Sequence, residues 1–110
     1  MKRENRVLKH REFSQIISKS PFVKSTRFVI HYRKKDENHL RVGINVGKKN
    51  GGAVMRNKIK RQIRTLVDNE FNLSKPFDLI ILVRPTYQTS HYEEARSELK
   101  MLWEKIGEEH

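Results

Sequence analysis

The most constraining feature of the chain is a compact apolar run, Phe77 to Val83, held between Pro76 and Pro85. It is too short for a stable helix. Its apolar residues sit at successive positions, so it predicts a strand buried on both faces, inside a sheet. A strand of that kind requires packed structure above and below it, and the rest of the chain must supply both layers.

The remaining patterns meet that demand. Phe13, Ile16 and Ile17 fall at i, i+3 and i+4, predicting a short helix over residues 10 to about 19, stopped by Ser20-Pro21. Residues 1–9 read as extended or loose. Arg27 to Arg33 alternates Phe28, Ile30 and Tyr32 against Val29 and His31, as a strand does. Asp36-Glu37-Asn38 supplies a turn, and Leu40, Val42, Ile44 and Val46 then alternate with Arg41, Gly43 and Asn45. This predicts a second strand antiparallel to the first, ending at Gly47. From Gly52 to Phe71, Met55, Ile59, Ile63, Leu66 and Val67 form one apolar helical stripe. Ser90 and Glu93 read as a capping box opening a terminal helix with Tyr92, Ala95, Leu99, Leu102 and Ile106 on its buried face. Trp103 reads as packing, and Glu93, Glu94, Glu98 and Glu104 as a solvated face. The predicted order is α-β-β-α-β-α in one domain spanning residues 1–110.

Charge narrows the function. The 110 residues carry 24 Lys and Arg against 13 Asp and Glu, a net charge of +11. Residues 1–66 hold 19 of the cations and 4 of the acids. Such an excess repels itself unless a polyanion neutralises it, so a nucleic acid bound by the first two thirds is the expected partner. No cysteine is present, which excludes disulfides and thiolate metal sites, and His10, His31, His39, His91 and His110 show no metal-ligand spacing. No catalytic residue and no protein-held metal are expected. The N-terminus lacks a signal-peptide core and no apolar run spans a bilayer, so a cytoplasmic protein without a membrane partner is the expectation.

The densest charge lies on the central helix. At about 100° per residue, Arg56, Lys60, Arg64, Asn57 and Arg61 occupy an arc of roughly 60° to 200° from Ile59, beside the apolar stripe. Cations four residues apart repel, so isolated-helix stability does not account for them, whereas phosphates would. Lys48-Lys49 adds to the same basic segment. Arg offers a planar fork for phosphate, Lys a point charge, and the Asn57 amide can address bases or sugars. A solvated helix face is the plainer alternative.

The residues Gly52-Ala53-Val54-Met55-Arg56-Asn57-Lys58-Ile59-Lys60-Arg61-Gln62-Ile63-Arg64 resemble the Arg-Asn-Arg signature of the bacterial ribonuclease P protein family. Arg41-Val42-Gly43-Ile44-Asn45-Val46-Gly47-Lys48-Lys49 resembles the strand preceding that signature, and Arg6-Val7-Leu8 with Phe13 resembles the family's opening. Lys58 stands where the signature's second Arg is usual, and His31 where many members carry Tyr.

The resemblance implies an α+β sandwich with a mixed sheet of about four strands, ribosomal-protein-S5-domain-2-like, with a left-handed β-α-β crossover. The fourth strand is expected within residues 78–85 or 47–51. It further implies that Lys48, Lys49, Arg56, Asn57, Lys58, Lys60, Arg61 and Arg64 meet a catalytic RNA. A cleft with Phe13, Ile17, Val29, His31 and Asn45 would take the 5′ leader of precursor tRNA. Mg2+ held mainly by the RNA would perform the hydrolysis, with the protein monomeric within the complex. Stacking by Phe13 and His31 would suit single-stranded bases, although Phe13 and Ile17 also read simply as core.

Two rivals remain open. A general RNA-binding protein explains the charge but not the register of the signature. The Gly43–Gly47 segment followed by Lys48 has three residues between its glycines and no Ser or Thr after the lysine, so it does not make a P-loop. A histidine-based nuclease would need two histidines brought together by the fold.

Overall fold

The computed structural model describes residues 10–36 and 39–109. Its elements are α1 (His10–Lys19), β1 (Phe22–Lys24), β2 (Phe28–Lys34), β3 (Arg41–Val46), α2 (Ala53–Glu70), β4 (Phe77–Val83) and α3 (Tyr92–Glu109). Short 3-10 turns at Lys48–Asn50 and Thr89–His91 lead into α2 and α3. The sequence readings that fall on residues 1–9, including the Arg6-Val7-Leu8 opening, lie outside the described residues.

The four strands form one mixed sheet in the order β1-β2-β4-β3. β4 occupies an inner position, antiparallel to β2 and parallel to β3. The expected antiparallel pairing of the segments at 28–34 and 41–46 therefore does not occur, because β4 lies between them. The reason is burial: β4 is apolar on both faces and gains most from an inner place, whereas β2 and β3 alternate and tolerate a partly solvated face. The fourth strand is Phe22–Lys24, not a segment of 78–85 or 47–51, so one strand is added before the predicted pair. Three residues after a proline carry no periodicity from which a strand could be read.

α2 and α3 cover one face of the sheet. Phe28, Ile30, Tyr32, Val42, Val46, Leu79, Ile81 and Val83 point into that layer and meet Ile59, Ile63, Leu66 and Val67 of α2 and Ala95, Leu99, Leu102 and Ile106 of α3. Trp103 closes the far end, stacked on Phe71 at 4.7 Å between ring centroids.

Three local expectations are corrected. Ser90 and Glu93 do not cap α3; Ser90 sits within the 3-10 turn, and a reciprocal cap is made instead by Gln88 and His91, with the Gln88 N–H donating to His91 Nδ1 at 3.1 Å. Met55 is 40% exposed rather than core, because α2 begins one turn before it reaches the sheet. Glu98 is not a solvated acid: its carboxylate accepts from Ser25 Oγ at 2.7 Å, from the Arg27 N–H at 2.9 Å and from the Arg27 guanidinium at 2.6 Å. Burial alone would push the Glu98 carboxyl up, but these hydrogen bonds outweigh it and hold it below its ordinary value. α3 is thereby tied to the β1–β2 turn.

The opposite face carries α1. Gly43, Asp78 and Ile80 are buried there, and Ile16 of α1 is buried against this face.

Candidate nucleic-acid interface

Two surfaces gather the residues singled out by the sequence. The first is built on the N-terminal part of α2. Between Ala53 and Val67 this helix has no acid, and its only carboxylates are Asp68 and Glu70 at the far end. Cations here stand at the end of the helix where the macrodipole is already positive, and neither Gly52 nor any acid in the first turn offsets it. Asn57, Lys58 and Arg61 are exposed, and Arg56, Lys60 and Arg64 are half-buried along the flank of the helix.

Lys48 and Lys49 are exposed on the 3-10 turn that enters α2. Gly51 ends that turn with φ of 128°, a conformation that favours glycine, and its N–H donates to the Lys48 carbonyl at 3.1 Å. The Asn50 amide donates to the Arg84 carbonyl at 3.1 Å, tying the turn to the end of β4. The other flank of α2 is fixed through Gln62, which accepts from the Tyr87 hydroxyl at 2.6 Å and donates to the Thr89 carbonyl at 3.3 Å. Burial pushes the Tyr87 phenol up to about 12, so it remains a donor near neutrality.

The second surface is the gap between α1 and the sheet. The strand registers place side chains in rows across this face: Arg33, Asp78 and Arg41; then Phe22, His31, Ile80 and Gly43; then Lys24, Val29, Leu82 and Asn45. α1 is anchored over the first two rows. Glu12 accepts from Arg41 at 2.8 Å and lies 3.7 Å from Arg33. Asp78, only 1% exposed, accepts from Arg33, Lys35 and Arg41 at 2.8–3.1 Å. Burial would raise its carboxyl, but the three cations dominate and bring it down to about 2. Arg41, hydrogen-bonded to Asp78, is held more firmly protonated than an ordinary arginine.

Phe13 lies over Gly43. A Cβ at that glycine would fall 2.7 Å from Phe13 Cε2 and 3.0 Å from Ile80 Cδ1, so only a residue without a side chain lets the ring approach. The third row is left open. Val29 and Leu82 are half-buried, Asn45 and Lys24 are exposed, and Ile17 at 37% exposure overhangs from α1. His31 packs against Phe22, itself 54% exposed, at 5.4 Å between ring centroids, and His31 Nδ1 is buried without a hydrogen-bond partner.

Phe13, Ile17, Val29, His31 and Asn45 are thus brought to one side of the sheet, as part of one trough. The sequence reading missed Phe22, Lys24, Gly43 and Leu82. A glycine inside an alternating strand was a signal of close approach, and Leu82 shares the parity of Ile80. Phe22 and Lys24 had no signal, since their strand was not legible. The open part of the trough is aromatic, apolar and amide, with a cation and no acid, which fits single-stranded nucleic acid better than a charged small molecule. Among the described residues no group of three His, Asp or Glu is placed to hold a metal ion, and no helix is long and apolar enough to cross a membrane.

The chain is similar to known proteins over nearly its whole length. The Ribonuclease P family model matches residues 1–107. The ribonuclease P protein component of Mesoplasma florum is 40% identical over 104 residues, covering 93% of this chain and 94% of that protein. That of Bacillus velezensis is 36% identical over 108 residues, covering 97% and 93%. Among solved structures, a Staphylococcus aureus RNase P protein mutant with defective mRNA degradation activity superposes with a TM-score of 0.83 at 28% identity, covering 94% of this chain and 89% of that one. The RNase P protein from Thermotoga maritima gives 0.75 at 27% identity, covering 91% and 96%.

Proposed function

The chain belongs to the bacterial ribonuclease P protein family, and from that premise we propose that it binds the catalytic RNA through α2 and the precursor-tRNA leader through the trough beneath α1. As the protein component it is a subunit of the ribonuclease P endoribonuclease, which acts in tRNA processing. The observation that carries the RNA-binding reading is the acid-free, basic N-terminal part of α2 with Lys48 and Lys49 beside it. Charges so arranged repel one another and the helix dipole, and a phosphate backbone relieves both.

In this reading Arg56, Lys58, Lys60, Arg61 and Arg64 neutralise phosphates of the catalytic RNA, and Asn57 addresses a base edge or sugar. Leader nucleotides lie along Val29, Leu82 and Asn45, flanked by Phe13, Ile17 and the Phe22–His31 ring pair. Stacking and apolar contact accept many leader sequences. Mg2+ held mainly by the RNA would supply the water-activating chemistry when bound. The protein's acids support that division: Asp78, the buried carboxylate nearest the trough, is already occupied by three cations. The protein acts in the cytoplasm, monomeric within the complex, and promotes leader removal by holding substrate and RNA together at ordinary salt.

The test is precursor-tRNA cleavage by a bacterial ribonuclease P RNA at low magnesium, with and without the protein. The wild type should restore cleavage, and Arg56→Ala with Lys60→Ala should lose at least about tenfold of that rescue, since two phosphate contacts each carry a share of the salt-dependent affinity. No rescue by the wild type would leave only a general RNA-binding role.

A further inference from the structure

The first turn of α2 does something the phosphate contacts do not explain. Val54 is 84% exposed and Met55 40% exposed, so two large apolar side chains stand between the cations Lys48 and Lys49 on one side and Arg56 and Lys58 on the other along the chain. A helix end selected only to meet phosphates or water would carry polar residues there. Beside Met55 the structure has a cavity of about 250 Å³, with Ile59 and Tyr87 on its apolar side and Asn50, Gln88 and Ser90 on its polar side. No acid lines it. The Asn50 side chain spends its Nδ2 on the Arg84 carbonyl, and its Oδ1 is buried with no hydrogen-bond partner.

We infer that this cavity is a base pocket: it takes one unstacked nucleobase of the catalytic RNA, seated against Met55, Ile59 and Tyr87, with the Asn50 side-chain oxygen accepting from an exocyclic amine or ring N–H. The inference rests on the RNA-binding reading of α2 and deepens it, adding a base contact to the phosphate contacts. An apolar wall led by Met55, an unsatisfied acceptor buried at the base of the cavity and the cations Lys48, Lys49 and Arg56 on the adjoining turns are the combination that holds a splayed-out base, whose sugar-phosphate remains at the cationic surface. A peptide or lipid occupant finds no comparable reason for the neighbouring cations and the single acceptor.

Salt separates a base contact from a phosphate contact. Losing a phosphate contact lowers affinity and flattens the dependence of log K on log salt, whereas losing a base contact lowers affinity at unchanged slope. Binding of a bacterial ribonuclease P RNA is therefore measured from low to high salt for the wild type, Met55→Glu, Ser90→Trp and Arg56→Ala. Met55 and Ser90 are exposed, so neither substitution removes a buried core side chain; the first makes the pocket anionic and the second fills it from its rim.

We expect Met55→Glu and Ser90→Trp each to weaken binding about tenfold at high salt, the scale of one stacked base. The Ser90→Trp slope should equal the wild type's, and Arg56→Ala should lower the slope by about one. In chemical probing with dimethyl sulfate for adenine and cytosine and a carbodiimide for uracil and guanine, one unpaired base should be protected by the wild type and reactive with Ser90→Trp. Wild-type affinity for Ser90→Trp, or no base whose protection depends on it, overturns the pocket while leaving the phosphate contacts standing. Absence of RNA binding by the wild type would instead overturn the reading on which the pocket rests.

Discussion

The sheet face beneath α2 and α3 and the face beneath α1 are made from alternate residues of the same strands, yet they are built differently. The first buries a continuous apolar layer in which Phe28, Ile30, Leu79, Ile81, Leu99 and Leu102 are closed off from solvent. The second buries Ile16, Ile80 and Gly43 in its middle, holds α1 down with Glu12, Arg33, Arg41 and Asp78 at one end, and leaves Val29, Leu82 and Asn45 uncovered at the other. A layer that only stabilised the fold would be closed along its whole length. The ion pairs fix where α1 sits, and its limited reach leaves the trough.

The largest effect should come from the closed face. Leu99→Ala removes a fully buried side chain and should cost about 3 kcal/mol, measured by urea unfolding. Leader affinity of the folded variant, measured with the RNA subunit present, should stay at the wild-type value. A weakened leader contact in the folded protein would show that the two faces are coupled.

An intermediate effect is expected at the ion-pair end. Asp78→Asn leaves Arg33 and Arg41 with Glu12 as the acid in this cluster among the described residues and should destabilise by about 2–3 kcal/mol, at or below the ~3–5 kcal/mol of a fully buried pair because the cations left behind are partly exposed. Because the folded carboxyl lies at about 2, below its ordinary 3.8, its contribution is complete above about pH 4 and disappears as pH falls through 2. Wild-type stability should therefore fall more steeply than that of the variant between pH 4 and 2. Parallel acid titrations would refute a stabilising role for the cluster.

The smallest effect on stability should accompany the sharpest effect on the trough. Gly43→Ala has no backbone strain but forces the Phe13 ring aside, costing about 1 kcal/mol. It should reduce leader affinity severalfold, with catalytic-RNA binding through α2 unaffected. An unchanged leader affinity would mean that Phe13 does not set the trough's width.

Much of this was legible beforehand. The apolar run at 77–83, the stripes of α2 and α3 and the alternation of β2 are statements about which side chains avoid water, and local spacing reports that directly. So does the basic flank of α2, since helical geometry alone puts Arg56, Lys60 and Arg64 together. The resemblance to the ribonuclease P proteins rested on the same contiguous segments.

Tertiary structure alone decided which strands are neighbours. Adjacency in sequence favoured pairing 28–34 with 41–46, but the strand apolar on both faces gains more by lying between them, and that competition is settled only when all the strands and helices pack. β1 exists through its pairing with β2 and had no pattern of its own. Met55 left the core because the sheet ends before the helix begins, and the trough is open because α1 is short; both are facts of where elements stop relative to one another, which the period of a sequence does not encode.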